Sequence, residues 1–239
     1  MRILIVGATG TIGVPVVQAL EVRHEVIPAS HSRSALTVDL GEAESIRRLY
    51  AKVGRVDAVV SIAGQAAFRS LLALTDADFA LGLNNKLMGQ VNLVRFGIEM
   101  VTDGGSFTLT SGILSRMPMP GSAAVSPVNA ALEGFGRAAA LKLPRGQRIN
   151  VIAPGWVTKT LIAFKMDPSI GLPAAEVAKA YVRAVEGNMT GQVFDAMPQL
   201  AVLSESSNSL QLDDDVPAWA IDALLDMRTA ARPKDRFAE

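Results

Sequence analysis

The sequence predicts an α/β fold: a doubly wound, seven-stranded and mostly parallel sheet flanked by helices. Three observations carry that reading. Short apolar runs alternate with longer stretches whose apolar residues recur every three or four positions, the pattern of buried strands joined by crossover helices. The first run stops at a glycine triplet, Gly7, Gly10 and Gly13, just before the first helical spacing begins. Small or hydroxyl residues stand where later runs end, at Ala63-Gly64, Ser111 and Pro154-Gly155, and ligands bind beyond the carboxyl ends of strands in open parallel sheets.

The apolar run at 1–6 is the first strand, and Val14, Val17, Ala19 and Leu20 give the following helix its buried face, with Pro15 tolerated in the first turn. Strand, glycine turn and helix together make a dinucleotide cradle. The glycines let the backbone approach a pyrophosphate, and the helix N-terminus offers it free N–H groups. Gly7, Thr9, Gly10, Thr11, Ile12 and Gly13 are therefore candidate cofactor contacts. The second strand, 24–29, runs into Ser30, His31 and Arg33. An acidic residue there would hold the ribose 2′-hydroxyl of NAD; these donors suit the 2′-phosphate of NADP instead. A third strand over 35–40 ends at Asp39 and Leu40, with the carboxylate placed to face an adenine.

Ile46, Leu49 and Val53 mark a crossover helix over 42–53, and the fourth strand, 56–62, ends in Ala63-Gly64, where small side chains let a cofactor lie against the backbone. A long helix is predicted over 78–101. Gly82, Gly89 and Gly97 interrupt it, each costing about 1 kcal/mol relative to alanine, so close packing against another helix, at a subunit interface, is expected to explain them. Asp103-Gly104-Gly105 ends that helix and the fifth strand, 106–111, places Ser111 at its carboxyl end. An alanine- and glycine-rich helix over 122–143, in which Ser122 reads as a cap, is followed by a strand over 147–153. A helix over 172–185 and a last strand over 191–195 complete the set. The chain thus divides into a nucleotide-binding domain, 1–197, and a polar linker with a short docking helix, 198–239, the helix carrying Trp219.

Lys plus Arg and Asp plus Glu both number 23, so no net field draws the protein to nucleic acid or an anionic membrane. No apolar run approaches the roughly 20 residues of a membrane span, and no signal-peptide core fits the first residues, so a cytoplasmic protein is expected. There is no cysteine, and His24 and His31 alone cannot make a zinc cluster, so no metal site is predicted. Small-molecule chemistry remains.

Gly7/Gly10/Gly13, Asp39-Leu40, Ala63-Gly64, Ser111, Ala131-Leu-Glu-Gly-Phe135, Arg148-Ile-Asn-Val151 and Pro154-Gly155-Trp-Val157 follow one another in the order and spacing of the short-chain dehydrogenase/reductase family, which residues 1–195 resemble. The resemblance implies a Rossmann-type fold, a nicotinamide cofactor, and a homodimer or homotetramer built on two long helices. It also implies a catalytic serine followed by Tyr-x-x-x-Lys, the tyrosine giving a proton as hydride arrives and the lysine lowering its pKa and holding the ribose. Ser111 matches the serine. The tyrosine and lysine positions fall on Val125 and Asn129, and the chain's only tyrosines, Tyr50 and Tyr181, lie on other elements. Val125 has no proton to give; Asn129 can still bond ribose hydroxyls. Lys86 takes the place of a helix-borne asparagine that relatives use in a proton path, and desolvation near a nicotinamide would lower its pKa and make it a donor. The other reading sends Lys86 to solvent or to a partner's carboxylate. Pro154, Gly155, Val157 and Thr158 belong to the segment that clasps the nicotinamide carboxamide in relatives, the family threonine falling closest to Lys159, between Thr158 and Thr160.

Two functions stay open. One is an NADP(H)-dependent oxidoreductase that reduces a carbonyl with a non-standard proton donor, Lys86, a serine hydroxyl or water. The other is an NADP(H)-binding protein without redox chemistry, whose occupancy biases a partner contact. The Met-, Pro- and aliphatic-rich segments 113–121 and 161–172 are expected to wall the pocket and to favour an apolar carbonyl substrate.

Overall fold

A computed structural model describes residues 1–163 and 167–197. The linker and docking helix expected over 198–239, with Trp219, lie outside the described residues. Seven strands form one sheet in the order β3-β2-β1-β4-β5-β6-β7, and every adjacent pair is parallel. They are β1 (Arg2–Val6), β2 (Glu25–Ser30), β3 (Leu36–Thr37), β4 (Val56–Ser61), β5 (Val101–Thr110), β6 (Arg148–Pro154) and β7 (Val193–Ala196). The helices are α1 (Gly13–Glu21), α2 (Ala43–Val53), α3 (Asp76–Leu81), α4 (Met88–Gly97), α5 (Val125–Ala140), α6 (Thr158–Ala163) and α7 (Ala174–Glu186).

β1 shows why its run is unbroken. Ile3, Leu4 and Ile5 are all wholly buried because both faces of the sheet are covered. Alternate residues serve opposite cores. Ile3 and Ile5 pack with Val16 and Leu20 of α1 and Val177, Tyr181 and Val185 of α7. Leu4 and Val6 pack with Ile46, Leu49 and Tyr50 of α2, Leu93 and Val94 of α4, and Leu132 of α5. With all strands parallel, their carboxyl ends share one edge, and the connections diverge there between β1 and β4.

Several predicted boundaries move, each for a local reason. The third strand keeps only two residues. Val38 and Leu40 turn into the core, and the Asp39 N–H donates to Ser45 Oγ at 3.0 Å rather than to a strand. The long helix predicted over 78–101 starts earlier and is broken. A reciprocal cap between Thr75 and Asp78 starts α3, and a π-helical turn, Gly82–Leu87, separates it from α4. α4 stops at Gly97, so Asp103-Gly104-Gly105 falls inside β5 rather than before it, as a bulge across which the pairing jumps from Val56↔Val101 to Ala58↔Ser106. Gly104 takes a φ of +72° there. The glycines of the broken helix are used within the chain: a Cβ at Gly89 would meet Leu40 Cβ at 2.6 Å, and one at Gly97 would meet Phe107 Cε1 at 2.8 Å and the Tyr50 hydroxyl. α5 is shorter than predicted. The Ser122 hydroxyl does not cap it but accepts the Met119 N–H at 3.1 Å, closing the preceding turn. Among the described residues no helix is long and apolar enough to cross a membrane.

Asp57 ties the amino edge of the sheet. Its Oδ2 accepts the Arg2 N–H at 2.7 Å and its Oδ1 the Thr102 hydroxyl at 2.9 Å, and the Arg2 bond foremost holds its carboxyl below the usual range. Asp57→Asn is expected to cost about 1 kcal/mol at neutral pH, a figure kept low for its partial exposure. A folded-state pKa below the ordinary 3.8 makes this contribution complete above that value and lost as the pH falls through the folded one. Urea denaturation of both proteins should therefore give curves that separate at neutral pH and converge in acid.

Candidate active site

At the carboxyl edge, Ile12 of the glycine turn, the ends of β4, β5 and β6, the π-helical turn and the start of α5 line a cavity of about 390 Å³. Of the predicted site residues, Ile12, Ala63, Gly64, Lys86, Ser111, Asn129, Pro154, Gly155 and Val157 line it, with Val125 beside Asn129. Thr160 lines it where Thr158 was expected, because the Thr158 N–H is turned away to Leu172 O at 3.1 Å. Of the segment 113–121 expected to wall it, only Ile113 and Leu114 do; Ser115 and Pro118 to Gly121 line a separate cavity of about 560 Å³ instead. None of the described residues of 161–172 does, and 164–166 lie outside them.

Lys86 belongs to the π-helical turn and reaches into the cavity over Gly64. A Cβ at Gly64 would stand 2.7 Å from Lys86 Cγ, and its φ of +150° is one that side chains rarely adopt. The ammonium donates to the Ser111 carbonyl at 3.0 Å. Among the described residues no carboxylate lies within ion-pair distance of it, and Lys86 is half-buried. Burial lowers its pKa from 10.5 to about 8. Gln90, a wholly buried side chain that the sequence reading missed, holds this turn in place. Its amide N–H donates to Lys86 O at 3.2 Å and Thr110 O at 2.9 Å, and its oxygen accepts the Thr110 N–H at 2.8 Å.

Ser111, 3% exposed, is fixed on all sides. Its N–H donates to Ile152 O at 2.8 Å, and its hydroxyl lies 3.3 Å from both Ile152 O and Glu133 Oε1. Glu133 was legible only as a residue of the Ala131–Phe135 stretch; the fold makes it a buried carboxylate behind the serine. Asn129, 1% exposed on the second turn of α5, has an Oδ1 with no hydrogen-bond partner among the described residues. That is an acceptor awaiting a donor such as a ribose hydroxyl. The two tyrosines stay out of reach: Tyr50 donates to Leu93 O at 2.6 Å, and the Tyr181 hydroxyl pairs with Thr110 Oγ1 at 2.7 Å. Burial pushes both phenols up, so neither is an acid for this cavity.

The glycine turn has the form a dinucleotide needs. Gly7 takes a φ of +90°, where a Cβ would meet Ile62 C at 2.8 Å, and one at Gly13 would meet Ala8 C at 2.8 Å. Thr9 accepts from the Arg33 guanidinium at 2.9 Å through its carbonyl, and Ser30 Oγ accepts the Arg33 N–H at 2.8 Å, so the three gather beside the turn. Thr11 is exposed at its crest. His31 lies 3.9 Å from Asp39, whose Oδ1 accepts the Gly41 N–H at 2.8 Å, while Leu40 is buried under Gly89. The close-approach turn and the orphaned Asn129 acceptor, at opposite ends of the site, fit a dinucleotide running along this edge.

Residues 16–188 match the family described as Enoyl-(Acyl carrier protein) reductase. Hydroxynaphthalene reductase arp2 of Aspergillus fumigatus is 32% identical over 144 residues, 58% of this chain and 53% of that protein. Oxidoreductase UcpA of Escherichia coli K12 is 28% identical over 141 residues, 56% of this chain and 54% of that protein. The chain thus spans about half the length of these two relatives. Among solved structures, the protein lin1944 from Listeria innocua is 39% identical with a TM-score of 0.79, over 82% of this chain and 98% of that one. A small-chain dehydrogenase in complex with NADPH is 25% identical with a TM-score of 0.72, over 82% and 95% respectively.

Gly64→Ala is expected to displace Lys86 from the Ser111 carbonyl and to return its pKa from about 8 toward 10.5. NMR titration of ¹³C-methylated lysines, with Lys86 assigned by substitution, reads that shift.

Proposed function

The chain belongs to the short-chain dehydrogenase/reductase family, and from that premise we propose that it is an NADP(H)-dependent oxidoreductase that reduces an apolar carbonyl compound with Lys86 as the proton donor. The observation that carries this is the Lys86 ammonium inside the cavity, hydrogen-bonded at 3.0 Å to the serine carbonyl and with its pKa lowered to about 8. Val125 stands where the family tyrosine would, so that route is closed, and a general acid works best when its pKa lies near the working pH.

NADPH, when bound, supplies the hydride. The chain's residues do the rest. The glycine turn with the N-terminus of α1 would hold the pyrophosphate, and Arg33, Ser30 and His31 the 2′-phosphate. Asn129 Oδ1 would accept a ribose hydroxyl. Ile62, Ile113, Leu114, Val125 and Val157 exclude water, which both lowers the Lys86 pKa and strengthens its attraction for the negative charge that develops on the carbonyl oxygen. Lys86 gives that oxygen its proton and is recharged from solvent after product leaves.

Lys86→Met is expected to lower kcat by about 10²-fold or more while leaving NADPH affinity unchanged. In the wild type, reduction should be level below the lysine pKa of about 8 and fall above it, where the amine has no proton to give. Stopped-flow absorbance of NADPH over a panel of small ketones checks both, and tight binding with no turnover that Lys86→Met affects would instead favour a protein that only binds the nucleotide. Arg33→Ala should weaken NADPH about tenfold or more and NADH hardly at all, read by fluorescence titration.

A further inference from the structure

The Lys86 side chain runs along the cavity wall. Its Cγ stands 2.7 Å from where a Cβ on Gly64 would be, and its ammonium donates to Ser111 O at 3.0 Å. Gly64, Ser111 and Lys86 all line the cavity, so the path from one to the other borders it throughout. Among the described residues that carbonyl is the only hydrogen-bond acceptor the ammonium has, which leaves two of its three N–H positions without a partner there. Lys86 is the one titratable side chain among the lining residues, and Ile62, Ile113, Leu114 and Val125 give it an aliphatic setting. Burial disfavours the charged form and brings this lysine down to about 8, so a sizeable share of it is free amine near neutral pH. It is half-buried, which keeps it open to the cavity, whereas Lys52, Lys142, Lys159 and Lys179 are all exposed.

We propose that Lys86 is a nucleophile that captures a small apolar aldehyde in this cavity as an imine, a covalent site that needs no nucleotide. The proposal goes beyond the reductase reading and does not depend on it. A desolvated lysine with no counter-charge is the kind that forms Schiff bases with carbonyl compounds. Its nitrogen pair bonds to the aldehyde carbon as the C=O π pair moves to oxygen, and a proton passes from nitrogen to that oxygen to give a carbinolamine. The hydroxyl then takes a proton from solvent and leaves as water while the nitrogen pair forms the C=N bond. Amine, aldehyde and one proton thus give an iminium and one water, with nothing oxidised or reduced. The iminium N–H can donate to the same Ser111 carbonyl that receives the ammonium. An aldehyde is favoured over a ketone because its carbonyl carbon carries one fewer bulky substituent, and the aliphatic wall favours an apolar one. The two forms of the lysine divide the work: the ammonium protonates a ketone oxygen, and the amine attacks an aldehyde carbon.

Treating the nucleotide-free full chain with benzaldehyde and sodium cyanoborohydride fixes each imine as a secondary amine, the reagent's hydride adding to the C=N carbon. Peptide mass spectrometry then reads the rate at every lysine. Near neutral pH Lys86 should be alkylated about tenfold or more faster than Lys52, Lys142, Lys159 or Lys179, since each unit by which a pKa falls gives about tenfold more free amine. Glyceraldehyde, which is polar, should show no such lead for Lys86 in the same protein. Val125→Asp puts a carboxylate on the cavity wall at the start of α5 and should hold the lysine as ammonium, bringing its rate down to that of the exposed lysines. Should that variant fail to fold, the comparison of the two aldehydes on the wild type decides alone. Alkylation of Lys86 no faster than of the exposed lysines, a lead that glyceraldehyde shares, or one that survives Val125→Asp in a folded protein overturns the proposal. Capture by a protein that reduces no ketone would leave the imine site standing and overturn the reductase reading, and reduction without capture would do the reverse.

Discussion

One amide side chain ties together the carboxyl edge of the sheet where the cavity lies. Gln90 is wholly buried and spans from α4 to β5, donating to the carbonyls of Lys86 and Thr110 and accepting the Thr110 N–H at 2.8 Å. An unpaired buried carbonyl is costly, and by donating to the Lys86 carbonyl Gln90 helps to hold the π-helical turn that carries Lys86. The same side chain joins the turn to the strand that ends in Ser111. Lys86 and Ser111 therefore keep their relative places as one unit, and a lysine that would otherwise extend to water is delivered to the serine carbonyl instead. Gly64 completes the path by leaving room where any Cβ would touch the lysine.

Electrostatically the site is built around Ser111. On one side stands a cation with no counter-charge among the described residues, on the other a buried anion balanced by two arginines at its far oxygen. Arg116 also pairs with Asp195 of β7 through both nitrogens of its fork, so the segment after β5 that bears Ser115 is tied to the last strand as well as to α5. The surroundings of Ser111 thus depend on contacts between elements that lie far apart in sequence.

How much of this was legible follows from which contacts are local. The sheet, its seven strands and the glycine turn are local matters of period and turn chemistry, and they stood in the sequence: β1 reads as an unbroken apolar run because both its faces are buried. The break at Gly82–Leu87 did not, since spacing alone cannot separate a helix from one with an inserted π turn, and the glycines there looked like a packing surface. The bulge at Gly104 was hidden because Asp-Gly-Gly reads equally well as a helix stop. Lys86, Asn129 and Ser111 could be named from their spacing to Gly89 and to the Ala131–Phe135 stretch. Glu133 and Gln90 could not be given roles, although each is a polar residue on a helix face that the period assigns to the core, and that mismatch was the available signal.

The proposal that one lysine stands in for a tyrosine–lysine pair has a physical economy to it. Burial acts on a phenol and on an ammonium in opposite senses, because it always disfavours the charged form. In this chain it pushes Tyr50 and Tyr181 away from neutrality, and it brings Lys86 down to about 8. A buried tyrosine therefore needs a neighbouring cation before it can serve as an acid near neutral pH, whereas a buried lysine needs only its burial. Val125 at the tyrosine position contributes to this by removing the hydroxyl and leaving an aliphatic wall. On the proposed reading, in which Lys86 is the proton donor, the second member of the pair would have no protonic duty left, and an asparagine whose Oδ1 can accept a hydrogen bond would suffice at position 129.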